Sequence, residues 1–137
     1  MTKSLRPIRI QRRRTKGYNM QATSRAVNGL DCISVTRPGR WGNPYDIKLF
    51  GRELSLKLFR NSVQGVWSPE PVKNASDEIC DAAYAAHLAF MKRFTGDHPL
   101  SAARSELRGF NLSCYCAPSD DCHADVYLEI LYGGSDA

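Results

Sequence analysis

The sequence lacks the features that define several large classes of protein. No apolar run approaches the 18 or so residues that a membrane helix needs. The N-terminus has charges but no apolar segment of a secretory signal, and Pro7 and Gly17 interrupt an amphipathic targeting helix. P-loop, G-x-G-x-x-G, H-E-x-x-H and G-x-S-x-G motifs are all missing. These absences leave ATPase, dinucleotide-binding, zincin and α/β-hydrolase interpretations without support.

Acidic residues are scarce in the first 40 positions. Ten Lys and Arg residues stand there against one acid, Asp31, which gives a net charge of +9. Positions 41–137 hold nine bases and thirteen acids, a net charge of −4. The whole-chain value of +5 hides this asymmetry. A basic segment joined to a mildly acidic body predicts a polyanionic partner.

The length and the hydrophobic pattern predict one small α/β domain. The chain has 137 residues, 42% of them hydrophobic, which is enough to bury a core without disulfides. We expect a basic extended arm over 1–29 and a body over 30–134 in which helices pack on a short sheet. Residues 52–64 fit a strand as well as a helix, and we favour the helix. The predicted elements are a strand within 30–35, helices over 52–64, 76–96 and 99–107, a strand over 110–116 and a helix ending at 132.

Four potential metal ligands lie within ten residues near the C-terminus. They are Cys114, Cys116, Cys122 and His123. Cys114 and Cys116 point to the same face of a strand, because side chains alternate there with a period of two. Four nitrogen and sulfur ligands suit tetrahedral Zn²⁺, so we predict a possible zinc site. The spacing is not a standard zinc arrangement, and one of the four side chains could stay outside the coordination sphere.

Two other interpretations of these cysteines stay open. A cysteine at a helix N-terminus has a lowered pKa and gains nucleophilicity. Cys122 could therefore be a catalytic thiolate with His123 and Asp125, the carboxylate orienting the imidazole. Alternatively, Cys114 and Cys116 pack as small apolar side chains, as free cysteines often do.

The N-terminal basic run is the first candidate for binding a polyanion. It consists of Arg12, Arg13, Arg14 and Lys16, followed by Gly17 and Tyr18. Guanidinium groups bind phosphate through two parallel hydrogen bonds, and a neighbouring ring can stack on a base. The run could contact nucleic acid, hold the phosphates of a nucleotide over a pocket, or form a solvated tail.

The loop over 40–45 is the second candidate. It offers a guanidinium (Arg40), an indole (Trp41) and an amide (Asn43), and Gly42 permits a close backbone approach. These groups suit phosphate binding, stacking on a base and hydrogen bonding to its edge. The alternative is a tryptophan that closes the end of the core.

Three segments together resemble a known family. Residues 13–18, 36–45 and 107–126, with their W-G-N-P and C-x-C…C-H-A-D motifs, are similar to small bacterial and phage proteins catalogued as domain of unknown function 4326. The resemblance spans about residues 8–132 and implies that the basic arm belongs to the folded domain. It carries no established activity. It marks as positions of interest Trp41, Asn43, Cys114, Cys116, Cys122, His123 and Asp125. Asn111 stands where the family would have an acid, and Cys32 and Cys80 fall outside the pattern.

Two functional hypotheses follow from these observations. The first is a nucleotide- or nucleic-acid-binding protein that could act as a small enzyme of phage or bacterial nucleotide or DNA metabolism. The second is a non-catalytic module, stabilised by zinc, that contacts nucleic acid or an acidic host protein. An odd total of five cysteines favours a reduced, cytoplasmic protein, and we expect no membrane contact. The oligomeric state is left open.

Overall fold

A computed structural model describes residues 6–37, 39–117 and 119–133 of the chain. These residues form a three-stranded parallel sheet and six α-helices, which confirms the predicted α/β class. The elements are β1 (Arg9–Gln11), α1 (Met20–Asn28), β2 (Cys32–Ser34), α2 (Ile47–Phe50), α3 (Arg52–Val63), α4 (Asp77–Lys92), α5 (Pro99–Glu106), β3 (Asn111–Cys114) and α6 (His123–Tyr132), with a 3-10 turn at Glu70–Val72. None of the helices in these segments is long and apolar enough to cross a membrane.

The chain forms two compact units. The sheet unit combines Met1–Gly42 with Glu106–Ala137, and the helical unit is Asn43–Ser105. The sheet unit contains all three strands together with α1 and α6. The candidate site is built on this unit.

Strand β3 is the centre of the sheet. It pairs in parallel with β1 on one side and β2 on the other, giving the order β1-β3-β2. Ser113 lies opposite Ile10, and Leu112 lies opposite Ile33. All four residues of β3 are buried, as expected for the central strand of a parallel sheet. Because the three strands run in the same direction, their carboxyl ends meet at one edge.

The basic arm contributes to this sheet. Its residues 9–11 form β1, and the N–H of Arg12 continues the pairing by donating to the carbonyl of Cys114 at 2.6 Å. Ile10 is buried against the sheet. The prediction of an extended arm over 1–29 is wrong for Met20–Asn28, which form the helix α1. It is incomplete for Arg9–Gln11, which are extended but belong to the sheet. Ile8 and Ile10 flank the single residue Arg9, and this alternation is too short to give a clear strand pattern.

Most predicted helices are confirmed, and their ends follow ordinary capping chemistry. Residues 52–64 form α3 rather than a strand. The Ser76 hydroxyl accepts a hydrogen bond from the Ile79 N–H at 3.2 Å and caps α4. That helix ends at Lys92, a turn earlier than the predicted stop at Gly96. The predicted strand 110–116 is shorter, at Asn111–Cys114.

The helical unit has a core of aromatic rings and a buried series of side-chain hydrogen bonds. Phe90 packs edge-on against Phe59 and Phe94, with ring centroids 5.5 and 5.1 Å away. Nearby, the Ser62 hydroxyl hydrogen-bonds the Tyr45 hydroxyl at 2.6 Å and His87 Nδ1 at 2.9 Å. Burial lowers the pKa of His87. These contacts make His87 part of the buried packing of the helical unit.

Asn111 joins the N-terminal segment to the start of β3. Its side chain is fully buried, and its Oδ1 accepts from the N–H of Ile8 at 2.9 Å. Its Nδ2 donates to Ser24 Oγ and to Asn28 Oδ1, both at 2.8 Å. The residue that departs from the expected family pattern therefore holds β1, α1 and β3 together and faces no open surface.

We predict that Asn111→Ala lowers the free energy of unfolding by about 2–4 kcal/mol, because it leaves several buried polar groups without partners. Chemical denaturation followed by circular dichroism measures this change. The control is Asn74→Ala at an exposed turn, which should change stability by about 0.5 kcal/mol or less. Equal, small losses for both variants would contradict the structural role of Asn111.

Candidate metal centre and anion-binding edge

The candidate site lies at the edge where the three parallel strands end. Ligands of open α/β sheets commonly bind outside the carboxyl ends of the strands. Strand β1 leads there to Arg12, and β2 leads to Val35 and Thr36. Strand β3 leads to Tyr115 and Cys116. Parallel pairing thus brings basic, hydroxyl and thiol groups to one place from distant parts of the sequence.

Three thiols converge at this edge and could hold a metal ion. The Sγ atoms of Cys114, Cys116 and Cys122 all lie within 4.8 Å of one another. Cys114 ends β3, and Cys122 immediately precedes α6. Sulfurs at tetrahedral positions about 2.3 Å from a metal are separated by about 3.8 Å. The thiol triad is therefore close to the size that such an ion requires.

His123, the fourth predicted ligand, is not part of the group whose ligand atoms all lie within 4.8 Å of one another, although it follows Cys122 directly. His123 Nδ1 lies 3.6 Å from Cys122 Sγ, and Nε2 makes a short hydrogen bond with the carbonyl oxygen of Val35. A carbonyl only accepts, so Nε2 carries the proton and Nδ1 has the lone pair. Histidine ligands of metals typically donate their second N–H in this way. Burial lowers the pKa of His123, which favours the neutral form that a metal requires.

The electrostatics of the thiols disfavour a free thiolate. Hydrogen bonds with Cys116 and Cys122, together with burial, raise the pKa of Cys114. For Cys122, the hydrogen bond with Cys114 lowers the pKa, but the bond with Cys116 and burial outweigh it. Cys122 is also only 1% exposed. The structure therefore argues against Cys122 as an accessible catalytic nucleophile, whereas a bound cation would favour deprotonation.

Asp125 connects the start of α6 to the first strand. Its Oδ2 accepts hydrogen bonds from the Cys122 N–H at 3.1 Å and from Arg9 Nη1 at 2.9 Å. Arg9 also donates to the backbone carbonyls of Ala117 and Asp120. Through these bonds, Asp125 ties the start of α6 and the cysteine loop to β1.

The basic residues beyond β1 form a candidate anion-binding edge, which consists of Arg12, Arg13, Arg14 and Lys16 and is called the anion-binding edge below. Arg12 Nη1 donates to Ser34 Oγ at 2.8 Å, while its buried Nε has no hydrogen-bond partner in the described part of the chain. Arg13, Arg14 and Lys16 are exposed. Among the residues described, none of the four pairs with an acid. Their positive charge is therefore available to a ligand.

The loop of Arg40 and Trp41 does not match its predicted role. Trp41 is 7% exposed and packs edge-on against Tyr127, with ring centroids 5.8 Å apart. The Tyr127 hydroxyl donates to the Trp41 carbonyl. Arg40 forms an ion pair with Glu106 at 2.7 Å. The prediction that Trp41 stacks on a base is corrected, since the indole belongs to the core, and the charge of Arg40 is already compensated.

Asn43 is also an interior residue rather than a reader of base edges. Its Oδ1 accepts from the Tyr45 N–H at 2.9 Å, and its Nδ2 donates to Ser55 Oγ at 2.8 Å. Ser55 Oγ in turn donates to the Tyr45 carbonyl at 2.7 Å. The side chain is 4% exposed. These bonds hold the start of the helical unit and turn the amide away from any ligand.

Tyr115 is a surface residue of the site that the sequence reasoning missed. It lies between Cys114 and Cys116 and is exposed. The guanidinium carbons of Arg14 and Arg12 lie 4.3 and 5.1 Å from the centre of its ring. The signal was available, because in a C-x-C strand the middle residue faces away from the cysteines.

The fold and the site define a small α/β protein with a parallel sheet whose strands end at a cysteine cluster and a row of basic residues. The chain belongs to the family described as domain of unknown function DUF4326, whose profile matches residues 10–133. The resemblance seen in the motifs is thereby confirmed. No curated protein and no solved structure matches the sequence.

We predict that Asp125→Ala lowers the free energy of unfolding by about 1–2 kcal/mol, because the Arg9 side chain, only 11% exposed, loses its charged partner. Asp31→Ala is the control, since Asp31 and Arg25 are both more than half exposed and should contribute about 0.5 kcal/mol or less. Urea denaturation measures both. Equal effects would show that the Arg9–Asp125 contact is an ordinary surface pair.

Proposed function

We propose that this protein is a nucleic-acid-binding module that holds a structural zinc ion and binds phosphates along its anion-binding edge. The observation that carries the proposal is the position of this edge. Four basic side chains without acidic partners in the described chain lie where the strands of a parallel sheet end. The cysteine cluster lies at the carboxyl end of β3, beside these basic side chains, and would stabilise this end of the sheet.

The donor set favours zinc among the common metals. Three cysteine sulfurs and one imidazole nitrogen are soft to borderline ligands, which suit Zn²⁺ better than Mg²⁺ or Ca²⁺. Cys114, Cys116 and Cys122 would supply the sulfurs, and His123 Nδ1 would be the fourth ligand. Zinc would keep the thiols deprotonated and close the loop over 114–122. This explains why three thiols are gathered in a chain without a disulfide among its described residues.

A four-ligand zinc site favours the binding module over a metal enzyme. Structural zinc sites use four protein ligands, whereas catalytic sites usually keep one position for water or substrate. Three cysteines and His123 would fill a tetrahedral shell. Cys114 and Cys122 are each 1% exposed, which also leaves little room for a substrate at the metal. We therefore favour the binding module over catalysis by Cys122, His123 and Asp125.

The anion-binding edge matches the chemistry of a phosphate backbone. Arginine forks bind phosphate oxygens through paired hydrogen bonds. Arg12 is held against Ser34 Oγ by Nη1, which fixes this guanidinium at the end of β1. Arg13, Arg14 and Lys16 extend the positive charge along the chain, as successive phosphates would require.

We predict about one zinc ion per chain in protein purified without chelator. Elemental analysis by inductively coupled plasma mass spectrometry measures it. Cys122→Ala removes a ligand and should reduce the bound zinc to about a tenth or less of the wild-type content.

The matched control is Cys80→Ser, since Cys80 lies on α4 in the helical unit and outside the cluster. This variant should keep its zinc. Zinc-free wild-type protein, or a Cys122→Ala variant that retains full zinc content, would contradict the metal assignment.

We predict that the protein binds an oligonucleotide with an affinity that falls steeply between about 50 and 200 mM salt, because binding releases counterions. The double variant Arg13→Ala/Arg14→Ala should bind about tenfold more weakly at low salt. Its slope of log affinity against log salt should be shallower by about one to two units. Fluorescence anisotropy of a labelled oligonucleotide measures both quantities.

The control removes the same charge elsewhere. Lys92→Ala/Arg104→Ala changes two exposed bases of the helical unit and should leave the affinity within about twofold. A mononucleotide and polyglutamate serve as competitors. A flat salt response, or displacement by the mononucleotide at stoichiometric concentration, would contradict polymer binding. Binding of polyglutamate instead of the oligonucleotide would favour an acidic protein partner.

A further inference from the structure

Tyr115 is an exposed aromatic ring in the middle of the anion-binding edge. Its neighbours Cys114 and Cys116 belong to the thiol triad. Tyr115 follows the last residue of β3, and its ring lies against two arginines rather than in the core. Its exposed fraction is 38%, so part of the ring is open to solvent.

Two guanidinium groups already lie over this ring. Arg14 and Arg12 are 4.3 and 5.1 Å from its centre, and neither pairs with an acid among the described residues. Cation–π contacts of this kind are weak at exposed sites. Arg14, which is exposed, could therefore leave the ring for a phosphate at little cost. The ring and the phosphate-binding groups would then act on neighbouring parts of one ligand.

We infer that the nucleic acid bound at this edge is single-stranded and that one of its bases stacks on Tyr115. The inference rests on the proposed function and adds the class of nucleic acid and the residue that selects it. Proteins that bind single strands combine basic grooves for the backbone with aromatic rings for the bases. A duplex presents its backbone and the edges of its bases, but the faces of its internal bases are stacked on one another and closed to an exposed ring. Tyr115 therefore distinguishes a single strand from a duplex, whereas the arginines can bind the phosphates of both.

The ring chemistry is tested by comparing two substitutions of Tyr115 in the full-length, zinc-loaded protein. Tyr115→Phe keeps the ring and should retain the affinity for a labelled thymidine oligonucleotide. Tyr115→Leu keeps apolar bulk without the ring and should weaken this affinity about tenfold, as loss of one stacked base does. The affinity for a hairpin duplex should change by less than about twofold in both variants.

The control is Tyr84→Leu. Tyr84 is exposed like Tyr115, but it lies on α4 of the helical unit, where its ring packs edge-on against Trp67. It should bind both ligands as wild type does. Zinc content and circular dichroism establish whether each variant is folded. Wild-type single-strand affinity in a folded Tyr115→Leu protein, or equal losses for single strand and duplex, would overturn the inference.

A second measurement needs no variant. Ultraviolet cross-linking of the wild-type protein to the same oligonucleotide, followed by peptide mass spectrometry, should place an adduct on Tyr115. Adducts confined to other residues would overturn the inference. If the wild-type protein binds both ligands equally with a steep salt dependence, only the single-strand inference fails. If it binds neither, the proposed function fails as well.

Discussion

The parallel pairing of β3 with two strands from the N-terminal third of the chain is the constraint on which the site depends. β1 and β2 flank β3 and end at the same edge. The hydrogen bond from the Arg12 N–H to the Cys114 carbonyl shows how directly the basic segment and the cysteine segment are joined. The arginines and the cysteines are more than 90 positions apart in sequence. The strand pairing is what brings them close together in space.

The cysteine cluster imposes a second constraint, because its thiols lie close together in surroundings that disfavour the charged thiolate form. Burial and mutual hydrogen bonding raise the pKa of Cys114, and the balance for Cys122 has the same direction. A divalent ion would reverse this by attracting thiolates. It would also link β3, α6 and, through the bond from His123 to the Val35 carbonyl, the end of β2. In this account the metal rigidifies the surface that binds the ligand.

Periodicity and capping residues were sufficient to predict the α/β class, four of the helices and the meeting of the cysteines. The roles of single residues in irregular segments were not predictable in this way. Trp41 and Asn43 have the chemistry of ligand contacts, but their packing on Tyr127 and hydrogen bonding to Ser55 depend on tertiary neighbours that no local pattern encodes. β1 was hidden because three residues are too few to show alternation, and its pairing partner lies over 100 positions away.

The central claim is that one edge of the sheet unit binds nucleic acid, and mapping the amide resonances that shift during titration with a single-stranded oligonucleotide tests it most directly. The account predicts that the shifted amides cluster at residues 12–16, 34–37 and 115–116, and that α3 and α4 are unaffected. Shifts concentrated on the helical unit, or no shifts at an oligonucleotide excess of about tenfold over the protein, would contradict it.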